Sequence, residues 1–207
     1  MVKRVVPALL CAVLAIAALV WVWLSYQSAD GPLFSSGTTR SGMPPIVGTV
    51  KNFTPTDPGR PAPIDVFHDA DGREVSLMDF GDKVVLLNLW ATWCGPCVTE
   101  LPSLDRLQAK LGGADFQVVA VSVDRRGLDA VRPYFAKLKI VNLPIYVESQ
   151  NRLATSLGLQ VLPSTIIIGP HGIMLGKLIG AAEWDAPEAL ALIRHYIDAT
   201  RAAPPSS

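Results

Sequence analysis

The chain has 207 residues, half of them apolar, and its 18 Lys and Arg are balanced by 18 Asp and Glu. That length holds one domain of about 150 residues plus appendages, and so apolar a chain buries a core without disulfides or metals as support. Zero net charge leaves no global field for nucleic acid, so charge has to be read segment by segment.

Lys3 and Arg4 lie in residues 1–4, ahead of "VVPALLCAVLAIAALVWVWL", twenty residues (5–24) without a charge. At 1.5 Å per residue this run spans roughly 30 Å, the hydrocarbon thickness of a bilayer, and it reads as a transmembrane anchor. A cleaved signal peptide has a shorter apolar region and ends in a small-x-small site, which "SYQSAD" does not supply. The basic flank places residues 1–4 in the cytoplasm and the remaining chain across the membrane. Cys11, deep in the run, reads as a buried apolar thiol. Without Lys3 and Arg4, 16 basic residues face 18 acidic ones, which predicts a mildly acidic domain in an oxidising compartment.

Residues 25–43 are rich in Ser, Gly, Thr and Pro and read as a flexible linker. The Pro-rich composition runs on to about residue 62, with Ile46 to Phe53 as a candidate strand. The folded domain is expected over 44–202, with 203–207 as a disordered tail. "PIDVFH", the turn "DADG" and "REVSL" give a hairpin. "KVVLLNLW" is a continuous apolar run, typical of a strand buried on both faces. A helix follows from Gly95 to Leu111, with Leu101, Leu104, Leu107 and Leu111 at helical spacing and Gly112-Gly113 ending it. "FQVVAVSVD" is a second buried strand and "GLDAVRPYFAKLKI" an amphipathic helix. "LPIYVE" and "NRLATSLGL" give a short strand and a short helix. "STIIIG", "PHG" and "IMLGKLIG" give an antiparallel hairpin. The closing helix, "APEALALIRHYIDATRA", is opened by Asp185 as N-cap with Glu188 three residues on, a capping-box pattern. Alternating strands and helices followed by a hairpin and a helix predict an α/β fold, a mixed central sheet with helices on both faces.

Two of the three cysteines, Cys94 and Cys97, fall where the buried strand turns into the helix. Backbone N–H groups of a first helical turn have no intrahelical acceptors. Together with the helix dipole they favour a thiolate at Cys94, lowering its pKa from about 8.5 toward 7 or below. Cys97 is close enough to close a small disulfide, which makes Cys94 the attacking thiol and Cys97 the resolving one. Pro96 suits the first helical turn, and Trp90 and Trp93 offer flat apolar surface for an extended peptide. Zinc would need two further ligands: there is no second cysteine pair, and His68, His171 and His195 lie far apart in the sequence. A structural crosslink over two residues removes little unfolded-state entropy. Copper(I) suits two thiolates with a histidine, and His171 is the candidate third ligand, although "GPHG" reads as a hairpin turn.

With strand, "WCGPC" and helix in order, the domain resembles the thioredoxin superfamily, and within it the membrane-anchored thiol:disulfide interchange proteins of the TlpA/ResA/CcmG group. "LLNLWATWCGPCVTELPSL" and "LGLQVLPSTIIIGPHG" carry the resemblance, which covers about residues 44 to 202 and leans toward TlpA in "GAAEWDAPEALALIRHYI". It implies a thioredoxin-like fold with an N-terminal hairpin and a central insertion, here Asp124 to Leu143. Pro163 would be cis and lie against the disulfide, with Leu162 offering backbone to a bound partner and Trp93 and Pro96 framing the substrate site. Pro102 matches the proline that kinks the superfamily's active-site helix. Where thioredoxin has a buried aspartate, this chain has Asn88. The ResA-like glutamate is matched by Glu100, which would exchange a proton with Cys97.

The resemblance also implies a bacterial inner-membrane protein with its catalytic domain in the periplasm. It would need no metal or cofactor beyond the redox-active Cys94–Cys97 pair. A DsbD/CcdA-type membrane partner would supply electrons. Clients would be copper-site proteins (a copper chaperone or the oxidase copper subunit) or apocytochrome c, with the copper side favoured. Gly-Pro between the cysteines is the thioredoxin dipeptide, at the reducing end of the scale, which favours a reductase. A DsbA-like oxidase and a Cu(I)-binding module without turnover remain as alternatives, while the lone-cysteine arrangement of a peroxiredoxin is lacking.

Overall fold

The computed structural model describes residues 43–56 and 59–202. The anchor at 5–24, most of the linker and the tail at 203–207 lie outside the described residues. Among those described, no helix is long and apolar enough to cross a membrane.

Among the described residues, eight strands form one mixed sheet: β1 (Thr54–Pro55), β2 (Phe67–Asp69), β3 (Glu74–Val75), β4 (Val84–Trp90), β5 (Phe116–Ser122), β6 (Tyr146–Val147), β7 (Ser164–Gly169) and β8 (Ile173–Ile179). They lie in the order β1-β8-β7-β4-β5-β6-β2-β3. The centre is β4, parallel to β5 and antiparallel to β7. All seven residues of β4 are buried, as the apolar run predicts for a strand covered on both faces.

The alternation of β4 sorts the two faces. Val84, Leu86 and Trp90 join one core with Leu101, Leu104 and Leu107 of α1 (Gly95–Leu111), Val131 and Phe135 of α2 (Leu128–Leu138), and Leu192 and Ile193 of α4 (Pro187–Ala202). Val85, Leu87 and Leu89 face the other way, against Leu153 and Ala154 of α3 (Arg152–Ser156) and Leu77 of a short 3-10 turn. The central insertion therefore adds its helix to the face that α1 covers. Asp105 of α1 pins the end of that insertion, accepting the backbone N–H groups of Val141, Asn142 and Leu143.

Three expectations are corrected. The candidate strand at Ile46 to Phe53 is a 3-10 turn at Gly48–Val50, and the strand β1 begins one residue after Phe53. Val50 and Phe53 are buried there, so this stretch belongs to the core of the domain. Trp90 offers no docking surface: it is fully buried and stacks on Phe135 at 5.9 Å. The closing helix begins at Pro187, and its capping box does not form. The Asp185 carboxylate goes to Arg106 and Lys110, and Glu188 accepts the Thr49 N–H at 3.0 Å.

Candidate active site

The sheet's buried centre delivers β4 to its C-terminal end, where Ala91 to Trp93 turn into α1. Cys94 is the helix N-cap with extended backbone (φ −91°, ψ 99°), and its Sγ accepts the Cys97 N–H at 3.3 Å. This is the N-terminal arrangement that favours sulfur in its anionic form. The two cysteines form a disulfide, with Cα atoms 5.3 Å apart. Cys94 retains 7 % of its surface and Cys97 only 1 %, so the first sulfur is the one a partner can reach. Pro96 sits in the first turn, exposed, and Pro102 lies inside the helix.

The last registered pair between β4 and β7 is Leu89 with Ser164. One step further places Pro163 beside the end of β4, at the rim where the cysteine turn starts. The Leu162–Pro163 bond is cis. Pro163 is buried, and its carbonyl accepts the Gly180 N–H at 2.9 Å. Among the described residues, the N–H and C=O of Leu162 bond no other backbone group, which leaves them available to an extended peptide. Leu162 and the 70 %-exposed Trp93 line one cleft of about 600 Å³ beside the cysteines.

Glu100 is one helical turn beyond Cys97 and shares its side of α1. It is 2 % exposed, on the face where Asn88 of β4 points inward. Its Oε1 accepts the Ala182 N–H at 3.0 Å and the Trp184 indole N–H, and its Oε2 accepts the Asn88 amide at 3.2 Å. Burial pushes the carboxyl up to about 7 despite these three hydrogen bonds, and the nearby charge of Glu183 adds to the rise. The Asn88 amide also donates to Thr165 Oγ1 at 2.9 Å, while its oxygen is buried without a partner. A neutral Glu100 needs an acceptor for its own O–H, and rotating the Asn88 amide would present that oxygen. The site thus has hydrogen-bonding capacity for both protonation states of Glu100.

The structure therefore gathers Trp93, Cys94, Pro96, Cys97, Glu100, Leu162 and Pro163 at one end of the sheet. His171 is elsewhere: it follows β7, roughly 17 Å of strand from Ser164, and lies 3.6 Å from Asp82. It is no third ligand for the cysteine pair, and no group of three metal-ligating side chains occurs among the described residues. Sequence reading missed Ala182, Trp184 and Ser103. The Ser103 hydroxyl donates to the Glu100 carbonyl and accepts the Trp184 N–H at 3.0 Å. A tryptophan in a short polar connection was the available signal, because a buried indole N–H needs an acceptor.

The AhpC/TSA family model matches residues 58–176. The thiol-disulfide oxidoreductase ResA of Bacillus subtilis (strain 168) is 31 % identical over 122 residues, which are 59 % of this chain and 67 % of that protein. ResA of Bacillus cereus (strain ZK / E33L) is 30 % identical over 122 residues, 59 % of this chain and 69 % of that one. A crystal structure assigned to the thiol:disulfide interchange protein DsbE of Chlorobium tepidum superposes with a TM-score of 0.59 at 27 % identity, covering 70 % of this chain and 97 % of that one. Fold, paired cysteines and relatives agree: the chain belongs to the AhpC/TSA family and is a thioredoxin-like thiol-disulfide oxidoreductase of the ResA/CcmG kind.

Proposed function

We propose that this protein is a membrane-anchored periplasmic reductase that opens disulfides in specific client proteins. The observation that carries the reading is the buried Glu100 carboxyl one turn behind the less exposed cysteine, where it can take the proton of the resolving thiol. The Cys94 thiolate attacks one client sulfur, forming a mixed disulfide and releasing the other client sulfur as a thiolate, which takes a proton from water. Cys97 then passes its proton to Glu100, and its thiolate attacks Cys94 Sγ. The Cys94–Cys97 disulfide closes, the second client sulfur leaves, and Glu100 returns the proton to it. Two electrons have moved from the dithiol to the client.

Trp93, Pro96, Leu162 and Pro163 frame the client segment in this reading. The apolar run at 5–24 supplies the anchor, single-pass with the N-terminus in the cytoplasm. Gly-Pro between the cysteines supports the reducing direction. In an oxidising compartment the dithiol must be regenerated, and a DsbD/CcdA-type membrane donor fits that need. The clients we favour are copper-site proteins of cytochrome oxidase, with apocytochrome c next. The active centre uses the cysteine pair alone, without metal or cofactor.

Trapping with Cys97→Ser tests both chemistry and client. The reduced variant is expected to stall as a mixed disulfide through Cys94, and mass spectrometry of the captured protein identifies the client class. A Cys94–Cys97 potential near that of DsbA, about −120 mV rather than the −270 mV of thioredoxin, would sink the reductase reading in favour of an oxidase.

A further inference from the structure

The cleft beside the cysteines has a wall that the redox chemistry leaves unused. It is formed by the loop after β5, where Arg125 and Arg126 are both exposed, opposite Gln160, Val161 and Leu162, with Trp93 at the cysteine end. The backbone that carries the arginines is fixed by their neighbour. Buried Asp124 accepts the Thr92 N–H at 2.8 Å and hydroxyl at 2.7 Å, and the Ser122 hydroxyl at 2.7 Å. Its backbone carbonyl also accepts the Gly127 N–H at 2.9 Å, closing the loop. One carboxylate thereby ties the backbone of the arginine loop to the residue before Trp93, so the two arginines branch from a frame shared with the attacking sulfur.

Elsewhere in the domain Arg73 pairs with Asp69 and Asp71, Arg106 with Glu183 and Asp185, and Arg201 with Asp115, whereas Arg60, Arg132, Arg152 and Arg194 carry no salt bridge among the described residues. Among the described residues Arg125 and Arg126 pair with none. The one carboxylate lining the cleft, Asp124, has its oxygens turned to Thr92 and Ser122. Exposed charge along the cleft is thus of one sign, next to the exposed apolar surfaces of Trp93 and Val161 (70 % and 55 %). Two forked guanidinium groups there are suited to carboxylates on an incoming chain.

We propose that Arg125 and Arg126 are specificity-determining residues that select clients whose reactive disulfide is flanked by acidic side chains. The proposal rests on the reductase reading above and adds the chemistry of the client segment. An extended polypeptide would place an apolar residue on Trp93 and Val161 and its Asp or Glu side chains against the arginine loop. Opposite charge would raise encounter with such clients, and like charge would reject basic ones.

The test uses the full-length chain, its dithiol regenerated by a chemical thiol reductant whose direct rate with each peptide is subtracted, with synthetic peptides that each contain one intrapeptide disulfide. The peptides differ only in flanks of Asp and Glu, Gln, or Lys. The wild type should reduce the acidic peptide with a kcat/KM about tenfold above the basic one, a ratio that shrinks as salt rises. Arg125→Glu/Arg126→Glu should invert the ratio, and Arg125→Lys/Arg126→Lys should keep its sign. Because the readout is a ratio within one variant, a partial loss of folding does not mimic it. Equal rates for the three peptides, or a ratio unmoved by charge reversal, overturn the proposal while leaving the reductase reading intact. Failure of the wild type to reduce any peptide overturns both.

Discussion

The seam between α1 and the segment after β8 has two ends, and the same kind of side chain behaves oppositely at each. At the inner end Glu100 is enclosed by Ala182, Trp184 and Asn88, all uncharged donors, and burial pushes its carboxyl up to about 7. At the outer end Asp185 lies near the surface against Arg106 (2.8 Å) and Lys110 (3.0 Å), which hold its carboxyl well below the usual range. Both bridge the same two elements. Two differences act together: Glu100 is the more deeply buried and meets only neutral donors, which do not offset its loss of water, whereas Asp185 keeps more contact with water and is accompanied by a guanidinium and an ammonium. The inner acid is kept near neutrality, where it can exchange a proton at physiological pH, and the outer one is kept ionised.

Glu100→Gln should erase that contrast with the largest effect. Resolution of the mixed disulfide is expected to slow by about 10²-fold, and the rate should lose its rise through pH 7, read by stopped-flow with a trapped client peptide. Stability carries a second signature. A carboxyl whose pKa rises from 4.5 to about 7 on folding stabilises the native state fully below 4.5, and that contribution is lost as pH climbs through 7. The wild type should lose about 3 kcal/mol from this group between pH 4 and 8, and the Gln variant should not. Parallel unfolding curves for the two proteins would show that Glu100 does not carry the titration. Asn88→Asp sharpens the same end. A second carboxylate at hydrogen-bond distance from Glu100 makes the pair share one proton, so the pH limb of the reduction rate should move up by about one pH unit or more. An unmoved limb would separate Glu100 from the proton transfer.

How much of this seam was legible in the sequence depends on the range of each contact. The bounds of α1 follow from Leu101, Leu104, Leu107 and the glycines behind them, all local, and the structure places the helix at Gly95–Leu111 as read. Cys94 and Cys97 were equally plain, since their meaning lies in the junction they occupy. The enclosure of Glu100 was not, because Ala182 and Trp184 arrive from 82 and 84 residues away and no local periodicity encodes that contact. The capping box at Asp185 and Glu188 failed for the same reason: the local pattern was present, but Arg106, Lys110 and Thr49 claimed the carboxylates. Trp90 and Trp93 were read alike because an all-apolar strand hides which residue faces the core. The sheet settles it by burying Trp90 and leaving Trp93 beyond the strand end.

The smallest effect belongs to the outer end. Asp185→Asn removes a forked pairing with Arg106 and a contact to Lys110, both half exposed, so the expected loss is below about 1 kcal/mol and shrinks further in salt. The sign with pH is opposite to that at Glu100. A depressed carboxyl stabilises the fold above its unfolded pKa, and that contribution is lost as pH falls through the folded value. Wild type and Asn variant should therefore differ near pH 7 and converge in acid, read by denaturant unfolding of the oxidised protein. Their reduction rates should trace the same curve between pH 5 and 8, because Asp185 stays ionised throughout that window. If Asp185→Asn shifted the rate profile as Glu100→Gln does, the two ends would be one coupled system. The proton at the resolving cysteine would then be governed by the whole seam rather than by the enclosure of a single carboxyl.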